Sequence, residues 1–197
     1  MTPKTSAKAE PLRPYGLVRL MVMFMLWQVS ERTSMLESPP LISGGERMRN
    51  YWNSRDRADL VERVRSVGPD SPRRWGKMNA HQMICHLADA FRGATGVKNL
   101  RPRALGLERP VKWLALYVPA PWPRGYPAPR EINQLAGAGT PPAVFDQDRE
   151  ALLALMENFT QAAIHGRRHP LWGRMSEWEW GRWGYLHTDH HLRQFGA

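Results

Sequence analysis

The chain has 197 residues, a formal net charge of +10 at pH 7, 42% hydrophobic residues and nine tryptophans. This length suits one domain with an extension, and the apolar content is sufficient for a hydrophobic core, which excludes a wholly disordered chain. The positive charge comes from scattered arginines, without a zinc-finger spacing, an aromatic–basic RNA motif or a helix-turn-helix pattern, so no nucleic-acid partner is predicted. The single cysteine, Cys85, excludes an intrachain disulfide and fits a reducing compartment, so we expect a cytoplasmic protein.

Residues 1–47 differ in character from the rest of the chain. Their apolar run, 17–27, is too short for a membrane span of about 20 residues and contains Arg19. Basic residues precede the run as in a signal peptide, but no small-residue cleavage site follows it. We therefore interpret 1–47 as a disordered or non-native extension, expect the native chain to start at Met48, assign 48–197 to the domain and predict no membrane partner.

Helical patterns begin after the extension. Apolar residues recur at helical spacing before Gly68, which predicts helix one over 54–67. Asn79 and Gln82 have the spacing of a capping box, so helix two is predicted to start at Asn79 and to end at Gly93.

Residues 95–139 separate helix two from the next helical pattern. The part from 101 to 130 contains seven prolines, which forbid a long helix or a central strand. Only 111–118 is suited to a short helical piece. We predict a long crossover, with two roles left open: a lid over a functional site, or a strap that closes the core.

Two further helices follow the crossover. Helix three is predicted to begin after Pro142 and to end at Gly166. Helix four begins at the capping box of Ser176 and Glu179 and runs to about Gln194. No segment alternates with a two-residue period. The predicted fold is therefore all-α, a four-helix bundle with a long proline-rich crossover between helices two and three.

Helix four carries a concentrated group of histidines, three of the seven within residues 187–191. His187 and His191 are four residues apart, so their imidazoles lie on one helix face, in line with two tryptophans. Burying two imidazoles without partners is costly, and a shared divalent ion would satisfy both. His190, three residues after His187, is an alternative to His191. The other interpretation is that all of them are hydrogen-bonded core residues.

Helix two offers candidates for a third ligand. His81 lies in the first turn, where side chains often remain exposed, whereas His86 lies deeper, so we predict His86 as the ligand. Neighbours on a helix point about 100° apart, so Cys85 is predicted to be a core thiol rather than the partner of His86 in a catalytic pair. His165 and His169, in the loop before helix four, are expected at the surface.

The segment His-Leu-Ala-Asp at 86–89 and the H-x-x-H-H-x-x-Q run at 187–194 resemble the DinB-like (YfiT-like) superfamily, from about residue 50 to the C-terminus. This resemblance implies a four-helix bundle that holds a divalent metal ion on His86, His187 and His191, with Zn, Ni, Fe and Mn as candidates. The proline-rich insert departs from compact members of the superfamily and leaves the shape of a substrate pocket open.

Three protein ligands leave coordination positions for water or substrate. The resemblance implies a metal-dependent hydrolase, or a transferase that uses a low-molecular-weight thiol, acting on a small molecule. Asp89, one turn after His86, is predicted to act as a catalytic base or to orient a ligand, against the alternative of an exposed helix carboxylate. Gln194 is expected to hydrogen-bond the second nitrogen of a ligand. The competing hypothesis is a non-catalytic binding or structural bundle in which metal, if present, only fastens helices. A homodimer is a further possibility for the assembly of the protein.

Overall fold

The structure, a computed structural model, describes residues 47–102, 106, 108–126 and 128–197. All but one of the residues of the predicted N-terminal extension, and residues 103–105, 107 and 127 of the crossover, lie outside these described residues. The described residues belong to one unit of the chain, Leu41–Ala197.

The described part of the chain is mostly helical, which is consistent with the predicted all-α class. Its helices are α1 (Ser54–Ser66), α2 (Ala80–Thr95), α3 (Glu108–Tyr117), α4 (Phe145–Asn158), α5 (Gln161–Ile164) and α6 (Glu177–Gln194), with a 3₁₀ turn at Arg130–Ile132 and strands β1 (Arg168–His169) and β2 (Gly173–Arg174). The two strands pair in antiparallel register and are too short to produce an alternating sequence pattern. None of the described helices has the length and hydropathy needed to cross a membrane.

The capping boxes predicted at the starts of α2 and α6 are both present. The Asn79 side chain accepts from the backbone N–H of Gln82, and the Gln82 side chain accepts from the N–H of Asn79. Ser176 and Glu179 form the same reciprocal pair. Each box satisfies backbone donors that the first turn of a helix leaves without partners.

Two helices end elsewhere than predicted. α2 continues past Gly93 and ends before Gly96, whose φ of 80° lies in the left-handed region that glycine adopts readily. The predicted third helix is split, because the ψ of 88° at Phe159 leaves the helical region. The side chain of Thr160 then caps a new turn by accepting from the N–H of Ala163, which starts α5.

The hydrophobic core lies between α1, α2, α4 and α6. α2 packs against α4, α6 and the 3₁₀ turn, and α1 packs against α4 and α6. The largest fully buried side chains are Trp180, Tyr51, Phe91, Phe159, Leu60, Met83, Ile84, Leu87, Leu116, Leu152, Met156 and Leu192. Each such side chain contributes about 1.5–3 kcal/mol through burial. This packing fixes α2 against α6, the two helices that carry the predicted ligands.

The segment before α1 docks on the first turns of α6. The N–H of Tyr51 donates to the carbonyl of Gly181, and the side chains of Asn50 and Trp52 donate to backbone carbonyls at the start of α6. A Cβ atom at position 181 would lie closer than 3.0 Å to Asn50 Oδ1 and to the Trp52 ring. Glycine is therefore required here by a close approach rather than by an unusual φ.

Gly181→Ala is expected to lower the free energy of unfolding by about 1–3 kcal/mol, because it overpacks this contact by one methyl group. The gain of about 1 kcal/mol in helix propensity on replacing glycine reduces this loss without cancelling it. Urea unfolding followed by circular dichroism measures the change. Gly68→Ala is the control, since no atom lies within 4 Å of its added Cβ. Equal stabilities of the two variants would contradict the docking described above.

Candidate metal centre

α2 and α6 bring three imidazoles to one place. His86, His187 and His191 each offer a ligand nitrogen, and these nitrogens all lie within 4.8 Å of one another. The ring centroids are 5.4 Å apart for His86 and His187, 4.7 Å for His86 and His191, and 4.9 Å for His187 and His191. In a tetrahedral zinc site with Zn–N bonds of about 2.0–2.1 Å the ligand nitrogens lie about 3.3 Å apart. The three nitrogens, within 4.8 Å of one another, are therefore close enough to bind one divalent ion.

The choice among the clustered histidines follows from this geometry. Within the described residues, the group whose ligand nitrogens all lie within 4.8 Å of one another contains His191 and not His190. The His190 ring lies beside His191, 5.1 Å away, and also faces Trp75 at 6.1 Å. Burial lowers the pKa of His190 to about 4. His190 is therefore a half-buried neighbour of the cluster, and the predicted convergence of the other three imidazoles is confirmed.

Burial keeps the three imidazoles neutral. It lowers the pKa of His86, and it lowers the pKa of His187 and His191 well below the usual value, with the neighbouring imidazoles acting in the same direction on the latter two. A neutral imidazole has a free lone pair on one ring nitrogen, which is the form that binds metal ions.

Hydrogen bonds select which nitrogen carries that lone pair. Nδ1 of His86 donates to the backbone carbonyl of Ile132 at 2.9 Å, which leaves Nε2 as the acceptor nitrogen. Nδ1 of His191 lies 3.1 Å from Oε1 of Gln194, whose amide nitrogen donates to the carbonyl of Trp75 at 2.8 Å. Gln194 therefore hydrogen-bonds one ring nitrogen of a candidate ligand, and the role of His191 as a ligand stays a prediction. Partners of this kind orient metal-binding histidines and raise their basicity.

The proline-rich crossover supplies two parts of this site that the sequence did not reveal. One is the carbonyl of Ile132, in the 3₁₀ turn. The other is Trp122, whose ring is 6.1 Å from that of His187 and 6.3 Å from that of His190. The ring of Trp183, on α6, stacks on that of His187, with centroids 5.3 Å apart. The only sequence signal for Trp122 was an aromatic residue among prolines, which does not specify what the ring covers.

Asp89 is fully buried, at 0% exposure, so the alternative of an exposed helix carboxylate is wrong. Its oxygens accept from Lys98 Nζ at 2.7 Å, from the N–H of Thr140 at 2.7 Å and from Thr140 Oγ1 at 2.6 Å. Burial acts to raise the pKa of Asp89, but these hydrogen bonds outweigh it and hold the pKa below the usual value. The carboxylate, on α2 one turn after His86, thus hydrogen-bonds Thr140 at the end of the crossover. Its catalytic role stays a prediction.

The two histidines expected at the surface have different positions. His165 is exposed, as predicted. His169 is only 7% exposed, stacks on Trp172 at 4.6 Å and contacts Trp180 and Trp183 of α6, so its predicted surface position is wrong. The short β1–β2 hairpin folds it onto α6, a tertiary contact that its loop-like neighbours do not indicate. Burial lowers the pKa of His169 to about 3.

His169 should make the fold sensitive to acid. Its folded pKa of about 3 lies below the ordinary 6.5, so the unfolded chain binds a proton first as the pH falls. Its contribution is complete above pH 6.5 and is lost progressively towards pH 3, at about 1.4 kcal/mol per pH unit. We expect His169→Gln to reduce the pH slope of the unfolding free energy by the share of this one histidine and to leave the share of the four histidines on α2 and α6, as measured by urea unfolding of metal-free protein between pH 4.5 and 7.5. His165→Gln is the control, and an unchanged slope in His169→Gln would contradict the assignment.

A family model described as a protein of unknown function (DUF1569) matches residues 51–197, a range that includes all three clustered histidines. No curated protein and no solved structure matches the chain. The match confirms an uncharacterised family and provides no link to the DinB-like superfamily.

Proposed function

Because the chain belongs to this family of unknown function, DUF1569, its activity has to be inferred from its own site, and we propose a metal-dependent enzyme that acts on a small molecule. The observation that carries the proposal is the group of three neutral imidazoles from α2 and α6, of which those of His86 and His191 are buried and that of His187 is half-buried. His86, His187 and His191 would hold the ion, with Zn, Ni, Fe or Mn as candidates. Three protein ligands leave positions for water or substrate, as in catalytic rather than structural zinc sites.

We also propose that α1, α2, α4 and α6 form a four-helix bundle of the DinB-like type within a domain spanning 48–197, in a cytoplasmic protein. The contacts of α2 with α4 and α6, and of α1 with the same two helices, support this arrangement. In such bundles, metal sites are built from side chains on facing helices. The histidines of α2 and α6 meet that description.

The chain's own residues prepare the site for chemistry. A bound divalent ion would lower the pKa of a coordinated water or polarise a carbonyl group. Ile132 and Gln194 hold the His86 and His191 rings in fixed orientations, and Trp122 and Trp183 cover two sides of His187. These aromatic neighbours reduce the contact of His187 with water, which strengthens electrostatic interactions in the site.

The side chains next to the histidines favour a small substrate with an apolar body and a negative charge. The guanidinium of Arg124 lies 4.4 Å over the ring of Trp75, which itself faces His190. Arg124 is exposed and lies close enough to help depress the pKa of His190. Ester hydrolysis and transfer to a low-molecular-weight thiol that carries a carboxylate are both compatible with this surface.

A structural bundle is the competing function. His86, on α2, contacts both the crossover, through Ile132, and the histidines of α6, and this arrangement favours a structural role. An ion at this point would fasten α2 to α6 beside the crossover. Chelation separates the two functions, since a structural metal contributes directly to folding free energy.

We expect the full chain to keep its helical circular-dichroism spectrum after dialysis against a chelator, and to lose ester-hydrolysis or thiol-transfer activity at least about 100-fold, as expected when the ion supplies the electrophile. Separate reloading with Zn, Ni, Fe or Mn should restore activity with at least one ion. The His165→Ala protein, which changes an exposed histidine, is the control. Unfolding on chelation would favour the structural function, and absence of turnover with every ion in both reactions would reject the enzyme.

A further inference from the structure

A second group of ligand-type side chains lies between α2 and α4. Ligand atoms of His81, Cys85 and Asp148 all lie within 4.8 Å of one another. Nε2 of His81 is 2.7 Å from Oδ2 of Asp148, and the Cys85 thiol hydrogen-bonds to the same carboxylate. His81 and Cys85 are four residues apart on α2 and therefore share a helix face.

This group is separate from the three histidines. Cys85 and His86 are neighbours on α2, so their side chains leave the helix about 100° apart. His86 meets α6, whereas Cys85 meets the first turn of α4, where Asp148 lies. α2 thus presents one set of ligands to each of two partner helices.

The surroundings hold the group in place while leaving a route to solvent. The N–H of Ala143 donates to Oδ2 of Asp148 at 2.9 Å, and the ring of Phe145 packs edge-on against His81 at 5.3 Å. The side chains of His81 and Asp148 are 19% and 23% exposed, while Cys85 is buried. An ion can therefore approach from the side of the imidazole and the carboxylate and reach the sulfur behind them.

We propose that His81, Cys85 and Asp148 form a second metal site, which takes a borderline-soft divalent cation such as Zn²⁺, with water as a fourth ligand. Thiolate, imidazole and carboxylate are the three side-chain ligands that zinc uses, at about 2.3, 2.0–2.1 and 2.0–2.2 Å. The alternative is a hydrogen-bonded His–Asp pair with a neighbouring thiol. The proposal does not depend on metal at the three histidines.

Binding at this site is an exchange of protons for the cation. The S–H bond of Cys85 breaks, its electron pair forms the bond to the metal, and the proton leaves to solvent. The proton that Nε2 of neutral His81 donates to Asp148 leaves Nε2 while Nδ1 of the same ring takes one up from solvent, so Nε2 and the carboxylate oxygen both become ligands and the net release is the single thiol proton. No electron transfer occurs, so only the cation and a proton-accepting buffer are required.

Cobalt(II) titration of the full chain tests the proposal, because a thiolate bound to Co²⁺ gives a near-ultraviolet charge-transfer band that imidazole ligands do not give. Cys85 is the single cysteine, so the band has one source. We expect the band in the wild-type protein and in a His86→Ala/His187→Ala variant. We expect Cys85→Ser to lose the band together with one equivalent of bound cobalt. Asp146→Asn, an exposed carboxylate two residues from Asp148, is the matched control and should retain both.

The outcomes distinguish this site from the three-histidine site. If the three histidines bind no ion but the second site exists, the wild type binds one equivalent of Co²⁺ and shows the thiolate band. The His86→Ala/His187→Ala variant then behaves like the wild type. If the second site does not exist, saturation of the wild type with Co²⁺ produces no thiolate band, which overturns the inference. His81→Ala, which retains the buried sulfur, provides the same readout should Cys85→Ser fail to fold: it should lose the site, and an unchanged band and stoichiometry would also overturn the inference.

Discussion

If the three histidines bind a divalent ion as proposed, His187→Ala is expected to lower the affinity for that ion by at least about 100-fold, since even replacing partners of metal ligands costs 10–100-fold. Removal of this imidazole leaves only two of the three candidate ligands, His86 on α2 and His191 on α6. Isothermal titration of metal-free protein measures the affinity directly. The metal-dependent activity should fall with the occupancy of the site.

The same variant should lose the stabilisation that the ion gives to the wild type. An ion at 100 times its dissociation constant stabilises the folded state by about 2.7 kcal/mol. At the ion concentration that gives this gain in the wild type, His187→Ala should gain less than about 1 kcal/mol. His190→Ala is the matched control, because His190 adjoins the cluster without belonging to the ligand group. An equal loss in both variants would show that His190 coordinates as well, and no loss in His187→Ala would remove the site.

Asp89→Ala is expected to lower the free energy of unfolding by about 3–5 kcal/mol, the cost of breaking a buried ion pair by removing one partner. Lys98 would lose its anion, and the N–H and hydroxyl of Thr140 would lose their shared acceptor. Asp89→Asn keeps the volume and the acceptor oxygen, so we expect a smaller loss, about 1.5–3 kcal/mol, typical of one charged hydrogen bond. Urea unfolding at pH 7.5 measures both, with exposed Asp146→Asn as the unaffected control.

Kinetics of Asp89→Asn decide between the two roles predicted for this carboxylate. A catalytic base would leave a folded, metal-loaded enzyme with a lower kcat, a similar KM and no acidic limb in the pH–rate profile. A positioning role through Thr140 and α2 would leave the shape of that profile unchanged. A variant as stable as the wild type would contradict the buried network itself.

The features that were predictable from the sequence are those encoded over a few residues. Capping boxes at Asn79 and Ser176 set helix starts, because the groups involved lie three residues apart. The spacing of His187 and His191 placed both on one face for the same reason. The assignment of His86 needed a second helix and came from its depth within helix two and from the resemblance of its surroundings.

The remaining features depend on contacts between distant parts of the chain. Ile132 offers only a backbone carbonyl to His86, and any residue at that position would carry the same group. His169 lies in a segment with loop composition, and its burial results from the docking of a short hairpin on α6. His81 and Asp148 are 67 residues apart, so no local period relates them. Hydrophobic periodicity reports on a single helix face and does not identify what that face meets.

The dependence of His86 on the carbonyl of Ile132 has a consequence for the order in which the molecule matures. Association of α2 with α6 brings the three rings together, yet the tautomer of His86 is set only when Ile132, 46 positions further along the chain, has reached it. Closure of so long a loop carries an entropic cost and is slow compared with helix formation. A newly synthesised chain should therefore form its helices before the three imidazoles meet and before Nε2 of His86 is left free to accept a ligand.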